Sequence, residues 1–352
     1  MPLSRETLNL IDANINRARE GSRVLEDIAR FVFEDKSLSA ELKDFRHSLT
    51  AAIISSGISF NEFAFSRTKS IDVGAKSFSS GEKTRAGLND VLLANIKRTQ
   101  ESLRVLEETL KPFNQKTAKK FKSLRYSSYR LEEKLLLFSE KQHLLKKFIS
   151  STLYFVLTSR KKSSYVKIAK AALKAGVKII QLRGKNLSDK EIVSAGKKIR
   201  FLSKKYGALF LVDDRPDLAL ILGADGVHLG QDNVSVKDAR SILGWHKLIG
   251  KSTHSLKQAL SAVKENPDYI SVGPIFPTQT VSYKPVGLSL IKKVRGKTKI
   301  PFVAIGGIKK HNVSKILKAG AERAAVVSEI SEAKNPEKAA GELLRELKGA
   351  KR

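Results

Sequence analysis

Eight short apolar runs recur along the C-terminal part of the chain, and this alternation constrains the fold more than any other feature. Amphipathic segments with helical spacing separate most of them, for example residues 165–175, 188–206 and 256–265. Eight strand–helix units over ~200 residues are typical of a parallel (β/α)8 barrel. An open doubly wound sheet is the alternative, but no G-x-G-x-x-G follows the first run. The predicted strands are residues 153–157, 177–182, 209–212, 226–229, 247–249, 269–272, 302–305 and 324–327.

The N-terminal part reads instead as successive helices that contain an internal repeat. ANINRAREGSRVLED at residues 13–27 returns as ANIKRTQESLRVLEE at residues 94–108, and LKDFRHSL is echoed more weakly by FKSLRYSS. Helix packing explains the apolar spacing. It does not explain why polar residues recur, so a polar seam between the repeats and a shared site both stay open. The recurring polar pairs are Asn14 and Asn95, Arg17 and Arg98, Glu20 and Glu101, and Arg23 and Arg104.

Two local features of this part carry their own expectations. Arg23 precedes Glu26 and Asp27 by three and four residues, which predicts ion pairs along one helix. Between the repeats, Asp72-Val73-Gly74 lies among cations and is a weak candidate for a magnesium–phosphate loop. The chain is therefore predicted to be an α/β protein, with a mostly helical repeat domain at residues 1–145 and a TIM barrel at residues 150–350.

Composition narrows the functional classes. The 352 residues include no cysteine, which excludes disulfides, thiolate zinc sites and cysteine nucleophiles. The net charge of +31 is compatible with a solvated lysine-rich surface, anionic small substrates or nucleic acid. No apolar run reaches the ~18 residues of a membrane span, and the N-terminus is polar. We expect a cytoplasmic protein without nucleic-acid or membrane partners, and a homo-oligomer is left open.

Polar clusters follow the predicted strands at their carboxyl ends, which converge on one rim of a barrel. Arg183 and Lys185 are paired cations after the second strand, and Asp213 and Asp214 after the third offer oxygen ligands for Mg²⁺. Backbone amides and hydroxyls suited to phosphate follow the later strands. They belong to Thr278, Thr280, Gly306, Gly307 and Ser328. This rim predicts phosphoanion chemistry. His228 and His254 lack metal spacing and are interpreted as residues that orient loops.

Six motifs that occur in a fixed order and spacing make the prediction of function more specific. They are QLRGK, VDDRPDLALILGADGVHLGQDN, IGKSTHS, VGPIFPTQT, VAIGGI and AVVSEI. Over residues 153–347 the chain closely resembles thiamine phosphate synthases. That family joins hydroxymethylpyrimidine diphosphate to a thiazole phosphate and releases diphosphate, with Mg²⁺ as cofactor.

The resemblance implies a role for each matching position. Mg²⁺ would be held by Asp214 and Asn233, and Ser252 would contact the pyrimidine. The pyrimidine diphosphate would be held by Gln181, Arg183 and Lys185. The thiazole phosphate would be bound by Thr278, Thr280, Gly307, Val327 and Ser328. Further candidate substrate-binding residues are Leu182, Gly184, Asp213, Gln279 and Lys284. Of these residues, Arg183, Lys185 and Ser252 would carry catalysis.

The chain departs from the family pattern at several positions. Asp213 stands where the family usually has asparagine, and Asn233 where it has a second magnesium aspartate. Val281 takes the place of a lysine, which Lys284 is expected to replace, and Gly184 takes the place of an acid. These departures leave an alternative open, a thiazole tautomerase-like or regulatory barrel without transferase activity. A nucleic-acid-binding protein is a more distant alternative.

The N-terminal repeat resembles a second family, the small helical hydroxymethylpyrimidine phosphate kinases that some bacteria fuse ahead of thiamine phosphate synthase. The matching pieces are IDANINRAREGSRVLEDIARF, FRHSL and DVG. The resemblance implies ATP as a further substrate, and a kinase here would supply the diphosphate that the barrel consumes. Candidate residues for phosphoryl transfer are Asn14, Arg17, Glu20, Asp72, Asn95 and Arg98.

Overall fold

The computed structural model describes residues 3–67, 84–279 and 283–349, and the chain divides into two compact units. The first is Met1–Glu140 and the second is Lys141–Arg352. Asp72, Thr280 and Val281 lie outside the described residues. None of the helices in the described ranges combines the length and apolarity that crossing a bilayer would take.

The first two helices of the helical unit each begin after a residue whose side chain caps the helix. The side chain of Ser4 accepts a hydrogen bond from the Thr7 amide and that of Asp35 from the Leu38 amide, so both cap a helix. The first repeat lies on α1 and the second on α4. The helices are α1 Arg5–Phe31, α2 Lys36–Ile54, α3 Phe60–Arg67, α4 Leu88–Leu110 and α5 Gln115–Ser150, the last of which continues into the second unit.

The apolar positions of the two repeats are buried in pairs on α1 and α4. Gly21 brings the helices close, since a Cβ there would lie 2.8 Å from the Asn95 carbonyl oxygen and closer still to the Thr99 hydroxyl. The predicted helical face is therefore confirmed as core. Its equivalent pairs are Ile11 and Leu92, Ile15 and Ile96, and Leu25 and Leu106.

Part of the polar recurrence is structural. The predicted ion pair of Arg23 with Asp27 is present at 3.1 Å, and Glu26 lies 3.8 Å away. Glu26 is buried and accepts a hydrogen bond from Arg46 Nε at 2.8 Å. In the second repeat Glu107 is likewise buried and accepts from Arg125 Nε at 2.9 Å. Because a buried carboxylate needs a partner, this pairing explains why the arginine of FRHSL returns in LRYSS.

The second unit is a closed parallel barrel in which eight strands pair in sequence order, as the alternation predicts. The strands are β1 Leu153–Leu157, β2 Ile179–Leu182, β3 Leu209–Asp213, β4 Gly226–Leu229, β5 Leu248–Thr253, β6 Tyr269–Val272, β7 Phe302–Ile305 and β8 Ala324–Val326. The helices are α6 Tyr165–Lys174, α7 Asp189–Lys205, α8 Pro216–Ile221, α9 Val236–Leu243, α10 Leu256–Lys264, α11 Gly287–Lys297, α12 Val313–Lys318, α13 Ser328–Ser331 and α14 Pro336–Gly349.

Alternation along the strands separates two cores. Phe155, Ile180 and Phe210 belong to the core between strands and helices, which is the larger one. The barrel interior is filled by the intervening residues, including Tyr154, Leu211, Leu248 and Tyr269. Leu144 and Phe148 from the end of α5 join this interior cluster, and Arg323 donates hydrogen bonds to the carbonyls of Phe148 and Ile149.

Candidate active site

The alternation of inward-facing and outward-facing residues along the strands also determines which polar side chains enter the site. Gln181, Asp213 and Ser271 each follow an inward-facing apolar residue of the same strand by two positions, so they continue the inner face toward the carboxyl end. His228 and Ser252 follow Gly226 and Gly250 by two positions on β4 and β5, and their side chains lie 3.0 Å apart. The top layer of the interior is therefore polar, and it forms the floor of a cavity.

A network of charges lines one side of this cavity. Arg183 Nη1 donates to Asp213 Oδ2 at 2.8 Å, and Gln181 Nε2 donates to the other carboxylate oxygen of Asp213. Lys185 Nζ lies 2.5 Å from Asp214 Oδ2 and 3.8 Å from Asp213 Oδ2. Burial raises the pKa of Asp213 to about 6, against the opposing effect of the Arg183 guanidinium. The two predicted cations thus lie directly against the two predicted aspartates.

Asp214 is held in an unusual backbone conformation. Its φ is 61°, in the left-handed region that non-glycine residues rarely adopt, and its amide donates to the His228 carbonyl at 2.8 Å. Such conformations concentrate at functional sites. The carboxylate is aimed at the space above Gly230. A Cβ on that glycine would lie 3.6 Å from Asp214 Oδ1 and 2.9 Å from Asn233 Oδ1.

A chain of hydrogen bonds crosses the interior beneath the cavity. The Tyr154 hydroxyl donates to Gln181 Oε1 at 2.7 Å and lies 2.9 Å from the Tyr269 hydroxyl. His228 Nδ1 lies 3.0 Å from that Tyr269 hydroxyl, and His228 Nε2 lies 3.0 Å from Ser252 Oγ. A Cβ at Gly250 would overlap the Tyr269 ring and His228, so this glycine makes room for the chain.

His228 is neutral in this environment, because burial lowers the pKa of its imidazole to about 4. It is fixed through both ring nitrogens, so it positions Ser252 rather than binding a metal. His254 is also an orienting residue. Its Nδ1 donates to the Gly273 carbonyl at 2.6 Å, and its ring stacks on Tyr283 at 4.0 Å.

The part of the cavity lining that follows β7 and β8 is largely backbone. Gly306 and Gly307 have φ values of 100° and 62°, and a Cβ on either would overlap the Pro274–Pro277 segment. Asn312 Nδ2 donates to the Gly307 carbonyl at 2.9 Å and holds this turn in place. Val327 and Ser328 adjoin the turn at the end of β8. The arrangement presents main-chain groups to a ligand, as the late loops of barrels often do for phosphate.

The structure brings most of the predicted residues together around one cavity of about 370 Å³. Predicted residues that line it are Gln181, Arg183, Lys185, Asp213, Asp214, Asn233, Ser252, Thr278, Gly307, Val327 and Ser328. His228 and His254, interpreted from the sequence as residues that orient loops, also line it. Sequence reasoning did not assign a site role to Ser271, Tyr283 or Lys309, which line it as well.

Four predicted substrate residues are not among the described residues of the cavity wall. Leu182 faces outward into the core between strands and helices, because it follows the inward-facing Gln181. Gly184 packs against Leu187 and Ile192, Lys284 is exposed, and Gln279 lines an adjoining groove. Thr280 and Val281 fall outside the described residues, so their roles stay predictions.

Comparison with known proteins gives two family matches. Residues 153–330 match the model described as Thiamine monophosphate synthase, and residues 9–134 match the ThiD2 family. Thiamine-phosphate synthase of Prochlorococcus marinus is 38% identical over 340 residues, which cover 96% of each chain. That of Thermosynechococcus vestitus is 40% identical over 339 residues, covering 96% of this chain and 94% of the relative.

The chain belongs to the thiamine-phosphate synthase family. A solved thiamine phosphate pyrophosphorylase from Pyrococcus furiosus is 38% identical, with a TM-score of 0.54, and covers 59% of this chain and 98% of its own. Like its relatives in this family, the protein is a transferase of thiamine biosynthesis. The barrel predicted from the alternating runs is thus the fold of a thiamine-phosphate synthase, and the family resemblance of both parts is confirmed.

Proposed function

We propose that the barrel joins 4-amino-2-methyl-5-(diphosphooxymethyl)pyrimidine to thiazole phosphate and releases diphosphate. The observation that carries this proposal is that one cavity holds two sets of groups suited to anions. Arg183 and Lys185 follow β2, and the Gly306-Gly307 turn and Ser328 follow β7 and β8. Two phosphorylated substrates can thereby be held in the same cavity, each by its own set.

The residues present fit the Mg²⁺ that the family uses. No group of three or more His, Cys, Asp or Glu able to hold a metal is found in the described part of the chain. Mg²⁺ does not need one, since it usually takes one or two carboxylates, waters and substrate phosphates. The oxygens of Asp214 and Asn233 converge on the space that the missing side chain of Gly230 leaves open. Mg²⁺ bound there would offset the charge of the diphosphate.

The chain's own residues account for the rest of the chemistry. The bond between the methylene carbon and the diphosphate oxygen breaks, and the bonding pair leaves with the diphosphate. Arg183 and Lys185 stabilise that departing charge through direct hydrogen bonds. The thiazole nitrogen then forms the new bond to the same carbon, while the Gly306-Gly307 turn and Ser328 hold the thiazole phosphate. Ser252, fixed by neutral His228, orients the pyrimidine.

The decisive test of the barrel is direct. Purified full-length protein is incubated with both substrates and MgCl₂, and the products are identified by chromatography and mass spectrometry. Thiamine phosphate and an equal amount of diphosphate are expected. A folded protein that forms neither would leave the alternative in place, a barrel without transferase activity.

We further propose that the helical unit phosphorylates hydroxymethylpyrimidine phosphate with ATP, which makes the chain bifunctional. The ThiD2 match over residues 9–134 supports this proposal. Asn14 and Asn95 each donate to a carbonyl of their own helix at 2.8 Å, which favours a structural role for both. Arg17, Glu20 and Arg98 are exposed and remain candidates for substrate contacts.

The kinase proposal has its own test. The full-length chain is incubated with the monophosphate, ATP and MgCl₂ without thiazole phosphate, so the barrel has no second substrate. Accumulation of the pyrimidine diphosphate with stoichiometric ADP is the expected result. A chain that is active as a synthase but leaves the monophosphate unchanged would contradict the kinase assignment.

A further inference from the structure

The two repeats of the helical unit build equivalent glutamate–arginine pairs whose surroundings differ. Glu26–Arg46 belongs to the first repeat and Glu107–Arg125 to the second, and in both the Nε atom makes the bond. An arginine bonded through Nε keeps its two terminal nitrogens for other partners. The partners of these terminal nitrogens can therefore be compared directly between the two repeats.

In the second copy one of the two terminal nitrogens already has a hydrogen-bond partner. Arg125 Nη1 donates to the Tyr129 hydroxyl at 2.9 Å, and the Tyr126 ring centroid lies 5.0 Å from the guanidinium carbon. Gln100, one turn before Arg104 on α4, donates to Glu132 at 2.8 Å. Glu132 is also paired with Lys97 at 2.8 Å. Tyrosine rings and an internal polar network thus fill the space beside this pair.

In the first copy the same positions leave the space open. His47 and Thr50 replace the two tyrosines, Arg19 replaces Gln100, and Ile53 replaces Glu132. The terminal nitrogens of Arg46 and the guanidinium of Arg19 meet no hydrogen-bond or ion-pair partner among the residues that the structure describes. An open pocket of about 570 Å³ lies here. It is lined by Asn16, Arg19, Glu20, Arg23, Val24 and Arg46.

The lining selects a class of ligand. Guanidinium groups bind phosphate oxygens through paired, charge-assisted hydrogen bonds, and their geometry matches phosphate better than that of an ammonium group. Glu26 balances the charge of Arg46, while Arg23 is shared with Glu26 and Asp27. Arg19 therefore supplies the uncompensated charge, and Asn16 offers a neutral donor.

We propose that this pocket binds the phosphate group of a phosphomonoester. That the phosphomonoester is a substrate rests on the kinase function proposed above. In this arrangement Arg19 and the free edge of Arg46 hold the phosphate, and the second repeat keeps the same framework with its pocket closed by Tyr126 and Tyr129.

The second repeat supplies the variants that test the pocket. Arg19→Gln installs the residue of the second copy at an exposed position, so folding should be unaffected. Thr50→Tyr installs the equivalent of Tyr129 and should give Arg46 a hydroxyl partner in place of the phosphate. Arg130→Gln removes one exposed arginine of the same unit outside the pocket and is the matched control.

The readout is the arginine Nε–Hε signals of the full-length ¹⁵N-labelled protein, titrated with inorganic phosphate and then with hydroxymethylpyrimidine phosphate. The signal lost in Arg19→Gln identifies Arg19. We expect it to shift in wild type and in Arg130→Gln. Arg19→Gln should weaken phosphate binding at the pocket, followed on the remaining shifting signals, by about tenfold or more, and Thr50→Tyr should abolish it. Unchanged binding in Thr50→Tyr, or no shift of Arg19 with either ligand, would overturn the proposal.

The same experiments separate the pocket from the kinase. If the Arg19 signal shifts but no diphosphate forms from ATP, the pocket is supported and the kinase function is contradicted. If diphosphate forms at an equal rate and an equal KM in wild type and Arg19→Gln, and the Arg19 signal does not move, the kinase stands without this pocket.

Discussion

Arg183 is the residue on which the proposed cleavage step depends most. Replacing it with alanine removes a charge-assisted contact to the departing diphosphate, which typically costs ~1.5–3 kcal/mol. We therefore expect kcat/KM for thiamine phosphate formation to fall about 10- to 100-fold. Arg183→Ala also leaves Asp213 buried without its cation, so the double variant Arg183→Ala/Asp213→Asn is the control. Near-normal turnover in both variants would contradict the role of Arg183.

A substitution at Asp213 can show whether this carboxylate contributes to the reaction or competes with the substrate diphosphate for Arg183. Its carboxylate already accepts a hydrogen bond from Arg183 at 2.8 Å and another from Gln181. Asp213→Asn keeps the shape and removes the negative charge, so we expect a lower KM for the pyrimidine diphosphate with little change in kcat. Steady-state kinetics at fixed Mg²⁺ decides the matter. A tenfold or larger loss of kcat would instead show that the carboxylate itself takes part.

His228 gives the barrel a defined dependence on pH. Burial lowers its pKa from 6.5 to about 4, so between these values the unfolded chain binds a proton that the folded chain does not. The stabilisation is complete above pH 6.5 and is lost as the pH falls toward 4, by up to about 3 kcal/mol. Urea denaturation at pH 7 and pH 5 measures it through the fluorescence of Trp245, the single tryptophan.

The matched variant for this prediction is His228→Gln, which keeps polar groups near Tyr269 and Ser252 but does not titrate in this range. Its loss of stability between pH 7 and pH 5 should be smaller than that of wild type. An equal loss in the two proteins would assign the acid sensitivity of the barrel to other groups.

At the scale of elements, apolar runs located seven strands to within two residues because strands buried on both faces read as continuous apolar segments. The exception is β5. It continues through Lys251, Ser252 and Thr253, polar residues that the sequence alone reads as a loop. The carboxyl-end rule placed the charged residues of the cavity correctly. It could not find Tyr154 and Tyr269, because a tyrosine within an apolar strand looks like any core residue until its hydroxyl meets a partner.

The end of α5 shows a second limit of sequence reasoning, since its last turns belong to the barrel interior. Phe148 is fully buried, and its ring centroid lies 4.3 Å from that of Tyr269. Phe148→Ala should therefore lower the free energy of unfolding of the barrel by ~3–5 kcal/mol. Its neighbour Ile149 is half exposed, and Ile149→Ala should cost at most about 0.5 kcal/mol. Equal effects in urea denaturation followed by Trp245 would refute this packing role.

For the molecule as a whole, the net charge of +31 suits a chain whose proposed substrates are all anions. Positive charge raises the local concentration of anionic ligands without specifying any one of them. In the proposed function, specificity comes from the cavity, which combines charged side chains with main-chain groups. The expectation that nucleic acid is not a partner stays a prediction, and a salt titration against duplex DNA would test it.

The last prediction concerns two reactions on one chain. With hydroxymethylpyrimidine phosphate, ATP, MgCl₂ and thiazole phosphate together, the wild-type protein should form thiamine phosphate without added pyrimidine diphosphate. Arg183→Ala should instead accumulate the pyrimidine diphosphate, because it weakens only the barrel reaction and leaves the helical unit intact. Mass spectrometry of the time course distinguishes the two species, and omission of ATP is the control. If wild type forms thiamine phosphate only when the diphosphate is supplied, the helical unit does not provide it, and the chain is a synthase with one activity.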